Sequence, residues 1–327
     1  MNAKTMKTLA ACLSAGIAIL TPAAQAQTGD FPTKTLRIIV PFASGSGSDA
    51  NARYYAEKMS TLLGQPVIVE NRAGADGAIG MMAAKSAPAD GYTLVQGGIS
   101  PSVVNAVVIP NLGYDPVKDF TPVLGYSRNM NVLLVANESR FKTFADLLAE
   151  AKNPAAPLSV GTFSTTLSLT AAWLSSLSKV KLTNIPYKGQ SQVMTDVIGN
   201  QLDLALVDLG GASTLLRDKK VRALAVTGET RSPDFPQVPT VRESGLPDYV
   251  QYSWNALFVR SEVPAPIRDK LANAVRQVMT APDTIEKFHG PRGTEARPLP
   301  SAQVQALQRE EIARFQTIAK TIGPVAR

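Results

Sequence analysis

The sequence predicts two Rossmann-like α/β domains joined by two crossover segments, and three observations predict them. Short apolar runs of strand length, beginning with Leu36–Val40, alternate with stretches of helical periodicity. That alternation occurs twice, once before and once after a passage with few turn breakers over residues 120–135. A second such passage, 255–259, leads back to a helical C-terminal region. Strand–helix alternation calls for parallel strands covered by helices on both faces. A chain of 327 residues suits about two such cores. The two passages divide it into 27–130 with 255–327 as one domain and 131–254 as the other.

Each element has its own warrant. Leu36–Val40 is a short apolar run, as expected of a buried strand. The polar turn Phe42-Ala43-Ser44-Gly45-Ser46-Gly47-Ser48-Asp49 follows, then a helix over 50–63 with Ala50, Tyr54, Met59, Leu62 and Leu63 as its apolar stripe and Gly64 as its stop. A second strand over 67–69 opens onto a glycine-spaced segment, 70–80. Its spacing is not that of the dinucleotide fingerprint, whose first two glycines lie two apart, so it predicts a loop and a tightly packed helix over 78–87. A third strand, 93–96, enters Gly97-Gly98-Ile99-Ser100-Pro101-Ser102, where Pro101 suits a first helical turn. In the second half the pattern predicts a helix over 144–151, a strand over 158–160, a polar turn over 161–168 and a helix to Leu177. A strand over 182–185, the turn Pro186-Tyr187-Lys188-Gly189, the helix Gln190–Ile198 and strands over 204–207 and 223–226 complete it. Ile267, Leu271, Ala274, Val275 and Val278 mark one later helix face; Val304, Leu307, Ile312, Phe315 and Ile318 mark a long C-terminal helix.

The first residues read as a leader. Lys4 and Lys7 precede an apolar run over 9–20, then Pro22 and Ala24-Gln25-Ala26, a pattern that predicts a secretory signal peptide cleaved after about Ala26 and a periplasmic protein. The single cysteine, Cys12, leaves with it. No other run approaches the roughly 20 apolar residues of a membrane span. The net charge of +7 is scattered, with Lys219-Lys220 the densest pair, and aromatic residues are only 6%. A nucleic-acid groove clusters its cations and interleaves aromatics, so nucleic acid is not expected as a partner. The excess favours anions in a weak, nonspecific way.

Reactive chemistry is sparse. His289 is the sole histidine, and no cysteine remains after the leader, which argues against a zinc site. There is no Gly-x-Ser-x-Gly elbow and no Gly-x-x-x-x-Gly-Lys-Ser/Thr phosphate loop. The expectation is a protein that is not an enzyme and carries no cofactor or metal. What remains is a set of small, hydroxyl-rich turns after strands: Phe42, Ala43, Ser44, Gly45, Ser46, Gly47 and Ser48 first, then Ser100, then Ser164, Thr165, Thr166 and Ser168. A strand feeding a helix N-terminus leaves backbone N–H groups unpaired at the positive end of the macrodipole. Ligands of open α/β sheets bind beyond the strand C-termini. Two such domains facing one another suit capture of an organic anion by closure. Taken alone, the first turn is also accounted for by turn formation and helix capping.

Several ordered blocks carry a resemblance. They are Arg37-Ile38-Ile39-Val40-Pro41-Phe42 with the Gly-rich turn and Asp49; Gly64-Gln65-Pro66-Val67-Ile68-Val69-Glu70-Asn71-Arg72-Ala73-Gly74; and Asp90-Gly91-Tyr92-Thr93-Leu94. Tyr114-Asp115-Pro116, Pro186-Tyr187-Lys188-Gly189, Arg222-Ala223-Leu224-Ala225-Val226-Thr227, Val238-Pro239-Thr240-Val241 and Gly245-Leu246-Pro247 continue the series. Together they resemble the Bug/TctC family, the periplasmic substrate-binding proteins of tripartite tricarboxylate transporters. The resemblance implies a type II periplasmic binding protein of Venus-flytrap architecture that binds a carboxylate through backbone amides and bridging waters. The implied partners are the membrane permease subunits of such a transporter, with the receptor itself a monomer; a receptor signalling to a two-component sensor kinase is the alternative. The family's two loops map onto 42–49 and 161–168, and its later acidic residue maps onto Asp208, which either orients a water or ligand donor or caps a helix. Asp49 is implied as the cap of the first helix. The family's Pro-Pro-Gly-Gly-Gly-Thr is replaced here by Ala43-Ser44-Gly45-Ser46-Gly47-Ser48, its small Gly and Asn residues by Ser164, Thr165 and Thr166, and the Asn after its acidic residue by Leu209. The added hydroxyls suit a rigid dicarboxylate held at both ends, an aromatic one such as terephthalate being favoured, with citrate-like and amino-acid ligands left open.

Overall fold

The computed structural model describes residues 31–150 and 157–322. The expected signal peptide and the end of the helix predicted over 144–151 lie outside the described residues. The described residues begin with β1 (Leu36–Val40), α1 (Gly47–Leu63), β2 (Val67–Asn71), α2 (Ala78–Lys85), β3 (Thr93–Gly98) and the short α3 (Asn105–Val108). β4 (Phe120–Ala136) is a single strand of 17 residues. The second series is α4 (Phe144–Ala149), β5 (Leu158–Thr162), α5 (Thr165–Ser178), β6 (Leu182–Pro186), α6 (Gln190–Ile198), β7 (Leu204–Asp208), α7 (Leu209–Arg217) and β8 (Val221–Val226). β9 (Tyr252–Arg260), α8 (Ala265–Thr280), the one-turn α9 (Pro282–Thr284), β10 (Glu295–Pro300) and α10 (Ser301–Ile322) complete the described chain.

The strands lie in the order β2-β1-β3-β9-β4-β7-β5-β6, with β8 and β10 also paired to β4. Within each half the order follows the repeated alternation: β1 pairs in parallel with β2 and β3, and β5 pairs in parallel with β6 and β7. The all-parallel expectation needs correction around β4, which runs antiparallel to β7, β8, β9 and β10. A strand that carries the chain from one half to the other meets its neighbours from the opposite direction. Residues up to Met130 pair with β9, and those from Asn131 on pair with β7 and β8, so the one strand serves both halves.

The apolar character of β4 follows from burial on both faces. Leu133 and Val135 pack with Leu204, Leu206 and the α5 residues Leu167, Ala171 and Leu174. On the opposite face Val132 and Leu134 join Val193 and Val197 of α6 and Ala212 of α7. In the first half Ile39, Val95 and Phe258 pack with Phe315 and Ile318 of α10. β10 escaped the sequence pattern because Pro298 and Pro300 interrupt it; proline within a sheet is held to edges, strand starts and bulges, and among the strands this one pairs with β4 alone. His289 is buried, its Nε2 sharing a 3.0 Å hydrogen bond with the hydroxyl of Tyr55. Burial, assisted by the nearby Arg292, lowers its pKa to about 4, so it is a neutral core residue. Among the described residues no helix is long and apolar enough to cross a membrane.

Candidate functional site

The predicted turns lie at the C-terminal ends of β1, β3, β5 and β7, and side chains brace them from within. In the first, Ser46 is the N-cap of α1, accepting the Asp49 N–H at 3.2 Å. This corrects the assignment of the cap to Asp49. The Asp49 carboxylate instead turns back into the loop, accepting from the Gly45 N–H at 2.9 Å, Arg53 Nε at 3.0 Å and Asn71 Nδ2 at 2.9 Å. Asn71, the last residue of β2, also donates to the Phe42 carbonyl at 3.1 Å. The loop is thus pinned to the neighbouring strand, with Asp49 buried at the knot. Burial raises the Asp49 pKa, but these hydrogen bonds and the Arg53 charge outweigh it and hold the carboxyl at about 2. Ala43, Ser44, Gly45 and Gly47 remain exposed above this scaffold, while Phe42, Ser46 and Ser48 are half-buried. Gly47 and Ser48 belong to the first turn of α1, whose leading N–H groups have no partner within a helix.

The second half repeats the device. Ser164 caps α5 by accepting the Leu167 N–H at 3.2 Å. Ser168 Oγ lies 2.9 Å from Thr162 Oγ1, accepts from Asn184 Nδ2 at 3.0 Å and meets the Ser164 carbonyl at 3.1 Å. Asn184 sits on β6, beside β5, as Asn71 sits on β2, beside β1. Ser168 is buried and its hydroxyl engaged, so it braces the loop, whereas Ser164 and Thr165 are half-buried.

The two halves touch through these turns. Ser100 Oγ, just beyond β3, lies 2.8 Å from Thr166 Oγ1, both residues being buried. Thr165 Oγ1 donates to Asp76 Oδ2. The sequence pattern did not single out Asp76. It lies in the β2–α2 connection, where Gly74, Ala75, Asp76 and Gly77 all have positive φ, Ala75 at 47° and Asp76 at 49°. Non-glycine residues seldom adopt that region and concentrate at functional loops. The glycine spacing there was the available clue. It also meets a packing need, since a Cβ on Gly80 would sit 2.7 Å from Pro41 Cα.

Asp208 ends β7 and occupies the N-cap position of α7, yet its side chain makes no capping hydrogen bond. The capping alternative is therefore set aside. Its carbonyl accepts from Gln190 Nε2 at 3.0 Å, tying β7 to α6, and desolvation pushes its carboxyl up to about 6. Two residues later Gly210 approaches the Arg292 backbone so closely that a Cβ there would fall 1.8 Å from the carbonyl oxygen. A separate cavity of about 60 Å³, lined by Ser127, Arg128, Trp254 and Glu311 among others, lies against α10 and shares none of these loops.

Two α/β halves built on crossing strands, with braced loops meeting at the strand ends, define a periplasmic-binding-protein fold, and the solved structures agree. The R. palustris protein Rpa4515 with adipate is 31% identical with a TM-score of 0.81, over 90% of this chain and 99% of that one. MatC from Rhodopseudomonas palustris with bound malate is 30% identical with a TM-score of 0.77, over 88% and 99%. The UPF0065 protein in the TAR-I ttuE-ttuC' intergenic region of Agrobacterium vitis is 37% identical over 94% of this chain and 89% of its own length. Residues 51–323 match the family described as the tripartite tricarboxylate transporter family receptor, and the chain belongs to that family.

Proposed function

We propose that this protein is an exported periplasmic receptor that captures a small organic carboxylate between its two halves and delivers it to a tripartite tricarboxylate-type permease. The observation that carries the reading is the pair of braced turns after β1 and β5, each ending on a serine N-cap and each presenting an uncommitted helix N-terminus. Contacts from Thr165 to Asp76 and from Thr166 to Ser100 between the halves support a site that closes over its solute. In this reading 27–130 with 255–327 form one domain and 131–254 the other. The backbone of Phe42, Ala43, Ser44, Gly45, Ser46, Gly47 and Ser48 receives one carboxylate, and Ser100, Ser164, Thr165, Thr166 and Asp208 shape the remainder. Asp49 and Ser168 hold the loops in place. The receptor acts as a monomer and catalyses no reaction.

Adipate and malate in the relatives' structures support a dicarboxylate, and terephthalate belongs beside them in the test. Calorimetric titration with mono-, di- and tricarboxylates, and with amines and neutral sugars as controls, tests the reading. A saturable response to a carboxylate is expected. Binding of sugars or amines with silence from every carboxylate would overturn it.

A further inference from the structure

The crossing strand β4 buries a polar side chain that the fold itself does not satisfy. Asn131 is 0% exposed, and neither its Nδ2 nor its Oδ1 has a hydrogen-bond partner. Its backbone is engaged, since the N–H donates to Thr227 Oγ1 at 3.0 Å and the carbonyl accepts the Thr227 N–H at 3.0 Å. The carboxamide alone is left over. Native folds almost always pair such groups, because burying both a donor and an acceptor unpaired carries their full desolvation cost.

Its position gives the lapse a meaning. Asn131 is the cross-strand partner of Asp208 in the antiparallel β4–β7 ladder. Directly opposed residues of such a ladder project from the same face, with Cβ atoms about 4.5–5.5 Å apart. That face is the one on which Leu133 and Leu206 pack against α5, so both groups lie on the side of the sheet that carries Thr165 and Thr166. Asp208 makes no capping hydrogen bond. Two acceptors, the Asp208 carboxyl and Asn131 Oδ1, thus stand beside one donor, Asn131 Nδ2, at the level where the strands end.

We infer that Asn131 and Asp208 form a specificity subsite that receives a hydrogen-bond-donating head, a hydroxyl or an ammonium, on the captured carboxylate. A hydroxyl donates to Asp208 and accepts from Asn131 Nδ2; an ammonium donates to both Asp208 and Asn131 Oδ1. A plain methylene at that place leaves both residues unpaired, and a site built to pair a donor rejects the analogue that lacks it. The inference rests on the carboxylate reading above and deepens it.

The test is calorimetry on the whole protein with four- and six-carbon diacids, each as the plain acid, the 2-hydroxy acid and the 2-amino acid. The wild type is expected to bind a donor-bearing acid about tenfold or more tighter than the plain acid of equal length. The 2-hydroxy and 2-amino arms separate the two heads. Asn131→Leu, which replaces an unpaired amide by an apolar group of similar size, is expected to melt no lower than the wild type and to bring that ratio towards one. Asp208→Asn supplies the same readout should the leucine variant not fold. A wild-type ratio near one, or a ratio unchanged in the variants, overturns the inference and leaves Asn131 hydrated by internal water only. Silence from every acid in the wild type overturns the carboxylate reading and the subsite with it.

Discussion

Asp49, in the first turn of α1, and Asp208, the last residue of β7, bear the same side chain, and their surroundings drive them apart. Asp49 gathers a backbone N–H, Arg53 and Asn71, and its carboxyl falls to about 2. Asp208 is desolvated, and its carboxyl rises to about 6. The consequences for stability have opposite sign. Asp49 favours the fold when charged, so its contribution is complete above its unfolded pKa of 3.8 and fades as pH falls from 3.8 towards 2. Asp49→Ala is expected to cost about 2 kcal/mol at neutral pH, since it strands the Gly45 N–H and Asn71; chemical denaturation at pH 7 and pH 2 checks both the size and its disappearance. Asp208 disfavours the fold when charged, so its contribution is present below pH 3.8 and lost as pH rises through about 6. The melting temperature of Asp208→Asn should therefore gain on that of the wild type across that interval. A flat difference between the two proteins would place the Asp208 carboxyl in water. Side-chain identity was legible in the sequence here; the direction of each shift depends on neighbours such as Asn71 that lie far off along the chain.

At the scale of elements, the first helix shows what periodicity detects and what it omits. Of the stripe expected from the sequence only Met59 is buried: α1 packs through Ala52, Tyr55, Ala56 and Met59 while Leu62 is 47% exposed, and the helix itself begins at Gly47. Its first turn is polar, and Ser46 rather than an apolar residue sets its start. α5 likewise begins at Thr165, so Thr165, Thr166 and Ser168 are helical residues where the pattern suggested a turn over 161–168. Both beginnings are set by serine caps, which a hydrophobic pattern does not register. α6 is delivered as predicted, Gln190–Ile198, because Gly189 and Gly199 bracket its stripe of Val193, Met194 and Val197. Position 48 tests the amides of α1 without removing a side chain that holds the loop. Proline is tolerated in a helix's first turn but lacks the N–H. Ser48→Pro should fold with a melting temperature near that of the wild type and bind its carboxylate about tenfold or more weakly. Unchanged affinity in titration calorimetry would show that this amide takes no part.

The whole molecule joins what the elements leave separate. Thr165 meets Asp76, Thr166 meets Ser100, and Gly210 meets the backbone of Arg292, each contact linking the second half to the first. At Gly210 there is no room for a single added carbon, because the Arg292 carbonyl oxygen occupies its place. In the family pattern an Asn follows the acidic residue and a Pro comes later; Leu209-Gly210-Gly211 in this chain permits the close approach. Gly210→Ala is expected to hold the halves apart. Small-angle scattering of the ligand-saturated variant should show the larger radius of gyration of the free protein, with affinity lowered about tenfold or more, since each such factor of ten in a closing equilibrium passes directly into apparent affinity. A radius that still contracts on ligand addition would show that the Arg292 segment yields.

The two α/β halves, the crossing strands and the hydroxyl-rich turns are legible along the chain, because strand length, helical spacing and Gly/Ser composition are local properties. The sequence also carried the family likeness, through blocks such as Glu70-Asn71-Arg72 and Pro186-Tyr187-Lys188-Gly189 whose order survives without reference to contacts. What those residues do depends on contacts that folding creates. Asn71 became a brace for a loop some 29 residues earlier in the chain, Asp76 a contact to the opposite half, and Asn131 an unpaired amide opposite Asp208. The physical reason is that hydrogen-bond satisfaction is settled by which groups come within about 3 Å of one another. Among residues so distant in sequence, folding alone sets that separation.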